Sequence, residues 1–139
     1  PVLPHPPPQR GDLIEIFRDS YQHWAVYVGD GSVVHLVVPS KSRTHFPQLN
    51  SSQEETLRAV VGNDQWQINN SLDSTYRPRP ADVIVTEARS WVGRTITYHS
   101  IRRNCEHFAT EQRYGVSLFC TFLEKVRLAA GCDFFYYSS

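Results

Sequence analysis

Residues 23–38 constrain the fold of this chain more than any other segment. Two runs rich in β-branched and aromatic residues, 23–28 and 32–38, flank the tripeptide Gly29-Asp30-Gly31. Runs of this composition on either side of a short turn of Gly and Asp are typical of a β-hairpin. The segment alone therefore predicts a fold built around an antiparallel sheet.

The length and charge of the chain exclude several classes of protein. Its 139 residues are enough for one domain with one hydrophobic core. The 14 basic residues balance 14 acidic ones, so the formal net charge is zero. The sequence therefore lacks the excess positive charge that nucleic-acid binding usually needs, and we expect no nucleic-acid partner.

The distribution of apolar residues and cysteines predicts a cytoplasmic protein. No stretch approaches the roughly 20 apolar residues of a membrane-spanning helix, and no secretory signal is visible. The three cysteines, Cys105, Cys120 and Cys132, are an odd and sparse set, which suits a reducing compartment. Any contact with a membrane is expected to be peripheral.

Further elements are predicted on both sides of the hairpin. Residues 12–18 are predicted to form a strand and residues 40–52 a loop. Strands are also predicted at 55–61, 65–69 and 95–98, although the first of these segments has helical character too. Apolar residues at 84, 88, 91 and 92, between Pro80 and Gly93, predict a helix of about three turns. A second helix is predicted over residues 105–114, with Asn104 as its N-cap and Gly115 as its stop. Residues 116–139 are mixed apolar and charged, which suggests an amphipathic segment.

Cys105 is the first candidate for chemistry because it lies in the first turn of a predicted helix. Unpaired N–H groups and the helix dipole at that position favour the thiolate, which is the nucleophilic form of cysteine. A small buried structural residue is the commoner role of a free cysteine, and position alone favours it.

His23 and His35 can cooperate with Cys105 only if they share one face of the hairpin. A two-residue turn at Asp30-Gly31 would place the two histidines on opposite faces. A three-residue loop with a bulge would pair Ala25 with His35, and the two imidazoles could then meet as diagonal neighbours. Both loops are compatible with the sequence.

The second loop would permit a thiol relay. One imidazole would take the thiol proton while the other fixed its tautomer, which is how a cysteine nucleophile is activated. A zinc site built from the same residues is less favoured, because the sequence has no short-spaced pair such as Cys-x-x-Cys. The Gly-x-Ser-x-Gly motif of many serine hydrolases is also absent. We expect neither a metal nor a cofactor.

Several of these segments together resemble a known family. They are residues 11–18 (GDLIEIFR), 23–31 (HWAVYVGDG), 33–35 (VVH) and 104–108 (NCEHF), followed by 113–115 (RYG). In this combination and order they closely resemble the phospholipase A/acyltransferase family, relatives of lecithin:retinol acyltransferase. The resemblance implies an α+β fold of the circularly permuted papain-like type, in which an antiparallel sheet packs against helices.

The resemblance also implies residue roles and a reaction. By motif position, Cys105 matches the nucleophile, His23 the general base and His35 the residue that orients the base. The implied reaction is calcium-independent removal of an acyl chain from a glycerophospholipid at a membrane surface, through a thioester, with transfer to water or to a lipid amine or hydroxyl. We accordingly expect a Pro-rich tail at residues 1–10, a catalytic domain at 11–116 and an amphipathic or mixed segment at 117–139.

The chain also departs from the family pattern. Residues 41–53 stand in place of a longer loop rich in small residues, and residues 116–139 are too charged for the hydrophobic anchor of many relatives. Pro1 and the absence of methionine raise the hypothesis of a virus-encoded copy, since picornaviral proteins with the same motifs can begin with proline. The alternative function is a catalytically inactive interaction domain of the same fold, and a papain-like peptidase is less favoured.

Overall fold

The structure is a computed structural model that describes residues 6–37, 48–98 and 104–115. Among these residues, six strands form one sheet in which every neighbouring pair is antiparallel. The strands are β1 (Leu13–Phe17), β2 (Gln22–Gly29), β3 (Ser32–Val37), β4 (Gln48–Thr56), β5 (Gln65–Ile68) and β6 (Thr95–Tyr98). Their order across the sheet is β5-β1-β2-β3-β4-β6.

Helices cover both faces of this sheet. The helices are α1 (Leu57–Val61), α2 (Ala81–Ser90) and α3 (Asn104–Tyr114), and a short 3-10 helix spans Ser71–Ser74. One apolar cluster joins α2 and α3 to the sheet, and its largest fully buried side chain is Phe108. A second cluster joins α1 to the opposite face, around Ile14 and Ile16. Each such buried side chain contributes roughly 1.5–3 kcal/mol of transfer free energy, so both faces stabilise the fold.

The turn of the hairpin combines features of the two loops considered from the sequence. Gly29 pairs with Ser32, so the turn contains only Asp30 and Gly31, both with positive φ. The register nevertheless pairs Ala25 with His35, because β2 carries a bulge between Tyr27 and Gly29. One extra residue in a strand moves every side chain beyond it to the opposite face of the sheet. The prediction that a two-residue turn places the histidines on opposite faces was therefore wrong, because the bulge returns them to the same face.

Arg113 anchors the C-terminal end of α3. Its guanidinium, in a residue only 9% exposed, makes two hydrogen bonds to the Asp73 carboxylate, at 3.0 and 2.7 Å, and donates a third to the Gly11 carbonyl at 2.8 Å. Tyr114 donates its hydroxyl proton to the same carboxylate. Arg113 holds the pKa of Asp73 below its usual value, as expected for a carboxylate beside a cation. These bonds tie α3 to the 3-10 helix and to the residue two positions before β1, which fixes how α3 lies on β2 and β3.

Most strands and helices were predicted; the 3-10 helix was not, and the other errors lie within residues 48–61. Residues 48–52 belong to β4, whereas a loop was predicted there; residues 38–47 lie outside the described part of the chain. The strand predicted at 55–61 ends at Thr56, whose side chain accepts a hydrogen bond from the Ala59 N–H and caps α1. An N-cap threonine that satisfies a helical N–H favours the change from strand to helix at that point.

The remaining predictions concern the chain ends and the membrane. The amphipathic segment predicted at 116–139 lies outside the described residues. Among the described residues, no helix is both long enough and apolar enough to cross a membrane.

Candidate active site

His23 and His35 meet on one face of the sheet. Nε2 of His23 lies 2.8 Å from Nδ1 of His35, and the two rings are nearly perpendicular, with centroids 5.1 Å apart. The register explains the contact: Ala25 pairs with His35, and His23 lies two residues before Ala25 and so faces the same side. The diagonal pairing that would permit a relay is therefore present.

The second ring nitrogen of His35 also has a partner. Nε2 of His35 lies 2.6 Å from Oε2 of Glu55 on β4. Glu55 pairs with Val33, two residues before His35 on β3, so its side chain lies on the same face as both histidines. The two histidines and Glu55 thus form one hydrogen-bonded row across three neighbouring strands.

Cys105, in the first turn of α3, contacts the backbone of the strand that carries His23. Its residue is only 7% exposed, and its sulfur lies 3.8 Å from the Gln22 carbonyl oxygen, close enough for a weak thiol hydrogen bond. The Trp24 backbone N–H also acts on the sulfur. Because Gln22 and Trp24 flank His23 on β2, the sulfur lies along the backbone that carries His23. The pairing of β2 with β3 begins only at Ala25. Residues 22–24 of β2 are therefore not paired with β3, and their backbone is open to contact with α3.

The environment of the sulfur favours the neutral thiol. Burial raises the pKa of the Cys105 thiol above its ordinary value, and the N–H groups of Trp24, Glu106 and Cys105 offset only part of this effect. The prediction that the helix start holds this sulfur as a thiolate was therefore wrong, because desolvation outweighs the N–H groups. Those groups still favour an anion, so they would stabilise negative charge once a base removes the proton.

The histidines are neutral as well. Burial, together with the charges of His35 and Arg18, lowers the pKa of His23 to about 3. Burial also lowers the pKa of His35, although the hydrogen bond to Glu55 works in the opposite direction. At neutral pH the Cys105 thiol and both imidazoles are therefore neutral, and the sulfur could act as a nucleophile only after loss of its proton.

The depressed pKa of His23 predicts a loss of stability in acid. Between pH 6.5 and about 3 the unfolded chain binds a proton on His23 that the folded protein does not, so the free energy of unfolding falls as the pH falls. At pH 4.5 the loss relative to pH 7.5 should be about 2.7 kcal/mol from this residue. Urea unfolding of the wild type and of His23→Gln at both pH values measures it. Carboxylates titrate in both proteins, so equal pH dependence in the two would contradict the assignment.

The structure brings together the two predicted histidines and places the predicted cysteine against the strand that carries one of them. Asn104 is the first residue of α3, one position inside the predicted cap. Glu55 was missed, because residues 40–52 were interpreted as a loop and β4 was not paired with β3. The signal was available: a strand that contains Glu55 and pairs with β3 can bring a carboxylate to His35.

Two comparisons with known proteins show the family to which the chain is similar. Residues 6–118 match the sequence profile of the family described as lecithin retinol acyltransferase. The chain is 47% identical to human phospholipase A and acyltransferase 4 over 136 residues, which cover 92% of this chain and 82% of that protein. It is 44% identical to human phospholipase A and acyltransferase 3 over 122 residues, which cover 82% and 75% of the two chains. The rat phospholipase A and acyltransferase 1 is 41% identical over 122 residues, which cover 83% and 71%.

Proposed function

The chain belongs to the lecithin retinol acyltransferase family, and from that premise we propose that it is a thiol-dependent, calcium-independent phospholipase A and acyltransferase. One observation carries the proposal. The Cys105 sulfur lies against the backbone on both sides of His23, whose ring is hydrogen-bonded to His35. A nucleophile, a base and a group that orients the base are the three parts that covalent acyl transfer needs.

The proposed first step forms a thioester. The Cys105 sulfur attacks the ester carbonyl of a glycerophospholipid, and its proton passes to His23 as the carbon–sulfur bond forms. The carbon–oxygen bond then breaks, and His23 returns the proton to the departing lysophospholipid oxygen. Because the thiol and the imidazole are both neutral at rest, this proton transfer accompanies the attack and does not precede it. The N–H groups at the start of α3 are the nearest candidates for stabilising the oxyanion.

The proposed second step regenerates the thiol. Water, or an amine or hydroxyl of another lipid, loses a proton to His23 and attacks the thioester carbonyl. The carbon–sulfur bond breaks, and the sulfur recovers its proton from His23. The same two residues therefore serve hydrolysis and transfer, and the nucleophile that reaches the thioester decides between them.

We also propose that the fold is the circularly permuted papain-like type. In papain-like proteases the cysteine helix precedes the histidine strand along the chain. Here the order is reversed, because His23 and His35 lie on β2 and β3 while Cys105 lies on α3. Residues 11–116 would form the catalytic domain, between a tail at 1–10 and a separate segment at 117–139. Superposition of an experimental structure on a papain-like protease tests the permutation.

The proposed place of action is a membrane surface in the cytoplasm. Phe17 at the end of β1 is 39% exposed, and Tyr21 just before β2 is 49% exposed. Both lie close in sequence to His23, and aromatic side chains are suited to the boundary between lipid and water. A virus-encoded origin is a separate hypothesis, which the residue that precedes Pro1 in the reading frame tests: glycine supports release by ribosome skipping, and any other residue contradicts it.

The function is tested with labelled phosphatidylcholine in vesicles. We expect wild-type protein to release labelled fatty acid with EDTA present, and to transfer label when a phosphatidylethanolamine acceptor is added. Thin-layer chromatography separates the free fatty acid from the N-acylated product. No release above a heat-denatured control would contradict the enzyme and support the inactive interaction domain. Cleavage of peptide substrates without cleavage of lipid would favour a peptidase.

A further inference from the structure

The row of hydrogen bonds continues beyond the two histidines to a carboxylate that the proposed mechanism does not use. We propose that Glu55 is a positioning residue which fixes the tautomers of both imidazoles and thereby makes Nδ1 of His23 the basic nitrogen. The inference rests on the proposed function for its catalytic meaning, although the tautomers can be measured without any activity.

Glu55 is well placed and well solvated for this role. Its carboxylate oxygen lies 2.6 Å from Nε2 of His35, within the range of a charge-assisted hydrogen bond. Its side chain is 41% exposed, whereas that of His35 is only 7% exposed. The carboxylate can therefore keep its charge in contact with water while one oxygen reaches the buried ring. It avoids most of the desolvation cost of a buried ion pair.

The carboxylate determines where His35 carries its proton. A neutral imidazole has one N–H and one lone pair. If the lone pair were on Nε2, it would face the negative oxygen of Glu55 at 2.6 Å, which is repulsive. His35 is therefore protonated on Nε2, where it donates to Glu55, and its lone pair is on Nδ1.

The tautomer of His35 in turn determines that of His23. Nδ1 of His35 accepts a hydrogen bond, so Nε2 of His23, 2.8 Å away, must be the donor. A neutral His23 then has its lone pair on Nδ1, the nitrogen nearer to the β2 backbone. The Cys105 sulfur contacts that backbone at Gln22 and Trp24. The lone pair thus belongs to the ring nitrogen nearer to the strand backbone that the sulfur contacts.

The charged groups around the row are consistent with this assignment. Arg18, at the end of β1, lowers the pKa of both histidines and so favours neutral rings. Burial lowers the pKa of His35 more than the hydrogen bond and the charge of Glu55 raise it. With both rings neutral, the carboxylate selects a tautomer and does not add a proton.

The test compares Glu55→Gln with Glu54→Gln. Glu54 is the matched control, because it is the preceding residue of β4 and its ion pair is with Arg89 at the surface. Protein labelled with ¹⁵N-histidine is examined by long-range ¹H–¹⁵N spectra, which report which ring nitrogen is protonated; His23→Gln and His35→Gln assign the signals. Steady-state rates with phosphatidylcholine give kcat and KM separately, and thermal unfolding verifies the fold.

We expect both rings to be protonated on Nε2 in the wild type and in Glu54→Gln, and each to populate both tautomers in Glu55→Gln. kcat should fall about 10- to 100-fold in Glu55→Gln with KM within about twofold, the usual cost of losing an outer partner. Glu55→Ala should regain rate in added acetate, which can enter the exposed position, but not in chloride at equal ionic strength. Tautomers unchanged in Glu55→Gln, or His23 protonated on Nδ1 in the wild type, would overturn the inference. If the wild type releases no fatty acid, the proposed function fails while the spectra still decide the tautomers.

Discussion

Cys105→Ala should lower fatty-acid release from phosphatidylcholine by at least about three orders of magnitude, because removal of the nucleophile from a covalent mechanism leaves only binding and oxyanion stabilisation. The mass of the intact wild-type protein, quenched in acid during turnover, should increase by one acyl group. Peptide mapping should locate the added mass on Cys105, and neutral hydroxylamine should remove it, as expected for a thioester. The alanine variant should show no such adduct.

The chain offers a control for this experiment. Cys120→Ala also removes one of the three thiols, and because Cys120 is not one of the proposed site residues, this variant should keep both turnover and the adduct. Circular dichroism and thermal unfolding of both variants test for loss of structure, since Cys105 is buried in the cluster under α3. Equal rates for wild type and Cys105→Ala, or an adduct that moves with Cys120, would exclude Cys105 as the nucleophile.

The sequence predicted the parts of this site that depend on local pattern. The β-rich runs around Gly29-Asp30-Gly31 identified the hairpin, and the residues before Gly115 identified α3, because turn and capping signals are local. The shared face of His23 and His35 could not be decided, because a bulge of one residue reverses it and the sequence carries no separate signal for that bulge.

Two further features depended on contacts between distant segments. Glu55 reaches His35 only because β4 pairs with β3, and the polar residues 48–52 do not have the composition of a typical strand. The thiol pKa of Cys105 was predicted from the helix start, which is local, whereas its burial depends on how α3 packs against β2. In both cases tertiary packing outweighed the local signal.

His23→Ala should reduce kcat by about 10²- to 10⁴-fold while the protein stays folded, since a positioned general base contributes about that factor. The thiol of Cys105 would then lack the base proposed for it, and its raised pKa would keep it protonated at neutral pH. Alkylation by iodoacetamide tests this, because the sulfur must lose its proton as it attacks the reagent and His23 is the proposed acceptor of that proton. We expect slower alkylation in His23→Ala than in the wild type at pH 7, with unfolding temperatures of the two proteins compared alongside.

The pH dependence of the wild-type reaction tests the lowered pKa of His23. A general base with the usual histidine pKa would cause kcat/KM to fall below about pH 6.5. Because burial lowers the pKa of His23 to about 3, the base stays unprotonated, and the acid limb should lie well below pH 5. Measurements between pH 4.5 and 8 on neutral phosphatidylcholine vesicles avoid titration of the lipid. An acid limb near pH 6.5 would mean that the base has the ordinary histidine pKa, and it would contradict the lowered pKa of His23.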